Sequence, residues 1–132
     1  MNRQAARELA ATTLTNLGTY EAVYEGARRV FKGLSPVAAV LSKSLRVAPI
    51  ASAMWEGIPR VSVTIYVRCD DGGEDAAEDQ LDSLVEAAMA ALKNAGFFIG
   101  ESDSAPEGAP LRNIDGTFYR VEQVIINVEE EY

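Results

Sequence analysis

Arg60-Val61-Ser62-Val63-Thr64-Ile65-Tyr66-Val67-Arg68 alternates without a break, with Val61, Val63, Ile65 and Val67 on one side and Ser62, Thr64, Tyr66 and Arg68 on the other. Period two of this kind predicts a half-buried β-strand. The pattern changes after an acidic turn. Leu81, Leu84, Val85, Ala88, Met89 and Leu92 recur at three- and four-residue intervals, which gathers them into one stripe of a helix running from about Glu74 to Ala95. Asp75 is placed to cap its first free N–H groups, Glu78 follows three residues on as in a capping box, and Lys93 with Gly96 closes the far end.

Upstream, Ala6, Leu9, Ala10, Thr13 and Leu17 recur with helical spacing behind Asn2, and Gly18 offers a left-handed stop, so a first helix is expected over Asn2 to Leu17. Thr19 to Glu25 suits a short strand. Gly26 to Ser35 reads as a polar, basic loop holding one helical turn. Pro36 opens a strand expected to run to Val47. The segment from Ala48 to Pro59, with Pro49, Gly57 and no sustained period, reads as a loop with apolar teeth.

Downstream of the long helix, Phe97, Phe98 and Ile99 begin a strand reaching Ser102. A connection from Asp103 to Gly116 ends in an Asp115-Gly116 turn suited to a hairpin, and Tyr119 to Glu130 forms the last strand. In that strand Tyr119 and Val121 share one parity while Val124, Ile126 and Val128 share the other, which predicts a β-bulge near Gln123. If the strands flanking the long helix are neighbours, their connection is a parallel crossover. The expected architecture is one α+β domain over residues 1–132, in the order αβββαββ, with a mixed, mostly antiparallel sheet and the helices packed mainly on one face.

A chain of 132 residues can bury roughly two-thirds of the surface its unfolded form exposes, so it needs neither disulfide nor metal to fold. Twenty acidic residues against 12 basic ones give a formal charge of −8, which argues against attraction to phosphate backbones or anionic lipid. The single cysteine, Cys69, permits no internal bridge and reads as a small strand-end residue. No apolar run approaches the ~18 residues of a membrane span, so a soluble chain without a targeting segment is expected.

Asp70, Asp71, Glu74, Asp75, Glu78 and Asp79 crowd the turn before the long helix. Their spacing does not match a calcium-binding loop, and carboxylates at a helix start are stabilised by its dipole, so a solvated capping role is read there rather than a metal site. Gly72 and Gly73 resemble a phosphate-cradling loop only superficially, because the surrounding carboxylates repel phosphate. The chain has no histidine, the commonest base for activating a serine or cysteine, and no catalytic or cofactor-binding constellation is marked out. Trp55, the only tryptophan, sits with Met54 and Ile58 between two prolines. It either plugs the domain's own core or makes a contact between subunits, where Trp and Met are enriched. The connection around Pro106, Gly108 and Pro110 is either a partner-contacting arm or slack.

The order of these segments resembles the tail terminator proteins of long-tailed, non-contractile bacteriophages. The likeness rests on Asp75-Ala76-Ala77-Glu78-Asp79-Gln80-Leu81-Asp82-Ser83-Leu84 after an alternating strand, and on Asp115-Gly116-Thr117-Phe118-Tyr119-Arg120-Val121-Glu122 leading into an alternating C-terminal strand. The N-terminal helix, the turn Gly33-Leu34-Ser35-Pro36 before an apolar strand and the total length are similar too. This resemblance covers most of the chain. It implies a virion structural protein rather than an enzyme, without cofactor. Six copies would form a ring at the head-proximal end of the tail tube, stop its growth and present a surface to the head's connector. The tail tube protein and connector would be its partners, DNA would pass through the ring without specific binding, and assembly would take place in the host cytoplasm. Six copies at −8 each would carry −48 formally, and the turn Asp70 to Asp79 is the part expected to line the channel. Contacts are expected from apolar residues in loops: Phe31, Met54, Trp55 and Ile58, and the arm from Pro106 to Leu111. Another head–tail joining or minor tail protein fits the same features, as does a small-ligand-binding α+β domain.

Overall fold

The structure is a computed structural model. It describes residues 2–26, 32–42, 46–51, 54–58, 60–69, 73–103, 111–114 and 116–128, with side chains at 2–26, 32–42, 60–69, 76–100, 113–114 and 116–128. The element order is α1 (Arg3–Leu17), β1 (Ala22–Glu25), β2 (Val37–Ser42), β3 (Arg46–Ala51), β4 (Met54–Ile58), β5 (Arg60–Arg68), α2 (Gly73–Asn94), β6 (Phe98–Asp103), β7 (Leu111–Ile114) and β8 (Thr117–Asn127). This is the expected α+β layout in the order αβββαββ, with a two-stranded ribbon inserted before β5 and a short β7 before the last strand.

Asn2 caps α1 as its sequence position predicts, its Oδ1 accepting from the Ala5 N–H at 2.8 Å, and Gly18 ends the helix in left-handed backbone at φ 70. The buried face of α1 is Ala6, Ala10, Ala11 and Leu14, with Leu9 and Leu17 at its margin. That stripe is rotated from the expected one, so that Leu14 rather than Thr13 meets the core. In α2 the expected stripe holds: Leu81, Leu84, Val85, Ala88 and Leu92 are buried and Met89 packs at the edge. Because α2 begins at Gly73, Asp75 lies inside the first turn instead of at the cap expected for it.

The main sheet runs β1-β2-β5-β8-β6, with β7 on the same outer edge of β8 as β6. β1 pairs parallel to β2 and all other pairs are antiparallel. The strands flanking α2, β5 and β6, are therefore not neighbours, since β8 lies between them and the crossover spans it. Both helices lie on one face, where Ala38 and Val40 of β2, the four odd residues Val61 to Val67 of β5, and Val124 and Ile126 of β8 join them in one core.

The opposite face is buried as well, and this overturns two expectations. Val37, Ala39, Tyr66, Ile114, Tyr119 and Val121 form a second apolar cluster there, with Ala22, Tyr24 and Leu34 against it. Hence β5 is buried on both faces, Ser62 and Thr64 included, and is not the half-buried strand its alternation predicted. The parity switch in β8 needs no bulge either. The β5–β8 register is continuous from Arg60↔Asn127 to Arg68↔Tyr119, so Tyr119 and Val121 serve one core while Val124 and Ile126 serve the other. The irregularity falls in β6, where the register shifts between Ile99 and Glu101.

Four further boundaries differ. The first strand begins at Ala22 rather than Thr19, and the strand expected to reach Val47 ends at Ser42. The expected loop from Ala48 to Pro59 contains instead β4 and most of β3, paired as Arg46↔Ile58, Val47↔Gly57, Ala48↔Glu56, Pro49↔Trp55 and Ala51↔Met54. Proline is admitted because each strand of a two-stranded ribbon is an edge strand, where a missing donor need break no ladder. The connection after β6 is shorter than expected because residues 111–114 form β7, which closes on β8 at Gly116 with Ile114↔Thr117 as the last pair; Asp115 lies outside the described residues. Gly116 there has φ 82, and its N–H donates to Asn113 Oδ1 at 2.9 Å.

Candidate functional site

Antiparallel β5 and β8, together with α2, bring three sequence-distant segments to one end of the sheet. β5 ends at Arg68, β8 passes it at Tyr119, and α2 starts a few residues further on. Arg68 holds the turn before β2 in two ways: its backbone N–H donates to Ser35 Oγ at 2.9 Å, and its guanidinium Nη1 donates to the Gly33 carbonyl. The Tyr119 hydroxyl donates to the Leu34 carbonyl at 3.1 Å. The Ser35–Pro36 bond in this turn is cis, and the Pro36 carbonyl accepts from Glu21 N–H at 2.9 Å, which ties the turn to the start of β1. Behind these bonds the Tyr66 and Tyr119 rings meet edge to face, with centroids 6.3 Å apart.

On the helix face of the same end, Arg120 Nη2 donates to Glu78 Oε1 at 3.0 Å, joining β8 to the second turn of α2. Cys69 follows β5 directly, half-buried, its N–H bonded to the Phe118 carbonyl at 2.9 Å. The Phe118 side chain is 53% exposed, the most exposed large apolar side chain among the described residues.

Chemically, this arrangement holds a shape. Burial pushes the Tyr119 hydroxyl above the ordinary tyrosine range; Arg68 opposes that shift and Glu21 and Tyr24 add to it. A phenol so shifted is held in its neutral, donor form. The Arg68 guanidinium is engaged with a backbone carbonyl, where it fixes a turn. Among the described residues no three Cys, Asp or Glu side chains come together as a metal ion would require. None of the described helices is long and apolar enough to cross a membrane.

The residues singled out in the sequence fall in several places. Of the acidic turn, Glu78 and Asp79 are exposed on α2, and Glu78 is engaged by Arg120. Glu74 and Asp75 lie in the helix's first turn with their side chains outside the described set, and Asp70 and Asp71 lie outside the described residues. Met54, Trp55 and Ile58 share β4, opposite Ala51, Pro49 and Arg46. Leu111 opens β7, opposite Arg120, while Phe31 and Pro106 lie outside the described residues.

The interlock of Arg68, Ser35, Leu34 and Tyr119 was not among the expected sites. Its one sequence signal is Arg68 itself, one of the two arginines that bound an otherwise uncharged strand, and the turn it meets, Gly33-Leu34-Ser35-Pro36, already carried part of the resemblance. No protein-family model matches this chain, and no curated protein sequence matches it either.

Proposed function

We propose that this protein is a structural component of a bacteriophage virion: a tail terminator whose copies, six in number, close into a ring on the head-proximal end of a non-contractile tail tube. The ring stops tube polymerisation and offers its other face to the head connector. Its work is recognition between surfaces, with no cofactor and no covalent step. The observation that carries this reading is the meeting of three segments on which the resemblance rests. The turn Gly33-Leu34-Ser35-Pro36, the start of α2 and the strand following Asp115-Gly116 are far apart in the chain, yet they are bonded to one another through Arg68, Tyr119 and the Arg120–Glu78 pair. A surface assembled from distant segments and fixed by hydrogen bonds is suited to rigid docking, because little ordering is left to be done on contact.

In such a ring the contacts are heterologous, one face of each copy meeting a different face of the next, which gives the annulus its polarity. The segment with Met54, Trp55 and Ile58, together with Phe31 and the stretch from Pro106 to Leu111, supplies the contacts. The acidic turn from Asp70 to Asp79 faces the channel. Within that turn the Arg120 pair offsets the charge of Glu78, so Asp79 contributes more to the field that keeps DNA from adhering.

The test is molar mass by light scattering over a wide concentration range, with negative-stain images of the large species. Sixfold annuli support the proposal. A monomer at every concentration that also fails to cap isolated tail tubes overturns it, as does binding of a small metabolite in a closed pocket. Trp55→Ala should abolish ring formation while leaving the thermal transition in place; intact rings from this variant would remove Trp55 from the contact.

A further inference from the structure

We draw no further inference here: the strongest candidate, the two-stranded β3–β4 ribbon carried between β2 and β5, pairs with no other strand among the described residues, and nothing in the structure shows what covers it.

Discussion

Two tyrosines on this fold illustrate opposite uses of a buried hydroxyl. Tyr119 donates to the Leu34 carbonyl and so ties β8 to the turn before β2. Replacing it with Phe keeps the ring against Tyr66 and removes only the bond, which should cost about 1 kcal/mol in urea unfolding. No measurable loss would show that the turn is held without the Tyr119 bond. Tyr20 is different: its hydroxyl is buried against the helix-face core and has no hydrogen-bond partner among the described residues. A buried polar group without a partner carries a desolvation cost on the order of 1–3 kcal/mol, so Tyr20→Phe should raise stability by a fraction of that amount. The same burial pushes the Tyr20 hydroxyl well above the ordinary tyrosine value of 10.0. The folded state therefore holds this proton more tightly than the unfolded chain does. Stability from this source is complete below pH 10 and is lost progressively as pH rises beyond it toward the folded value. Tyr119, shifted in the same direction, adds to the loss. Wild-type protein should unfold more readily at pH 11 than at pH 8, and the Tyr20→Phe variant should lose less over that interval in thermal melts. Equal losses would place the alkaline sensitivity elsewhere.

At the scale of elements, the edge strand β6 depends on a residue with no side chain. A Cβ on Gly100 would lie 3.1 Å from Asn127 Nδ2 and 3.2 Å from the Ile125 carbonyl, in the place where the β6–β8 register shifts. The backbone oxygen cannot swing aside as a flexible side chain can. Gly100→Ala should therefore cost about 1–2 kcal/mol and raise amide hydrogen exchange in β6 before β5; unchanged exchange in β6 would show that the edge absorbs the methyl group. Elements also mark where sequence reading succeeds. α1 and α2 were legible because a single buried stripe imposes period 3.6 and because Asn2, Gly18 and Gly96 punctuate the ends. The hairpin at Gly116 is legible because its backbone needs a residue free at positive φ. β5 falls where its alternation predicts, yet its second face is hidden from that pattern, since Ser62 and Thr64 look like solvent-facing residues and are buried. Gln123 donates to Ser62 Oγ at 2.7 Å, a long-range bond that no local pattern encodes. The same cause hid the pairing of Arg68 with the turn before β2, and it made the parity of β8 look like a bulge. β3 and β4 were missed for another reason, because Pro49 and Gly57 suppress the strand signal in a ribbon that tolerates both.

For the whole molecule, charge and apolar contact would pull in opposite directions in the proposed assembly. Each chain carries −8, so closing six copies into the proposed ring would concentrate like charge around its channel, and the repulsion would grow with every copy added. The contacts proposed to overcome it are apolar and lose little on screening. Added salt should therefore favour the ring: the Debye length falls from roughly 30 Å at 0.01 M to about 10 Å at 0.1 M and about 3 Å at 1 M, which removes most of the repulsion between copies and leaves the apolar contacts in force. Sedimentation velocity at a fixed protein concentration should show the large species gaining at the expense of the small one across that range. If ion pairs between the acidic turn of one copy and the basic residues of the next held the ring together, the trend would reverse and salt would dissolve it. A charge-reducing variant separates the two cases further. Asp79→Asn removes a carboxylate from an exposed position on α2, so it should leave the fold in place. Under the repulsion account it lowers the salt needed for half-assembly, and under the ion-pair account it weakens the ring at every salt concentration.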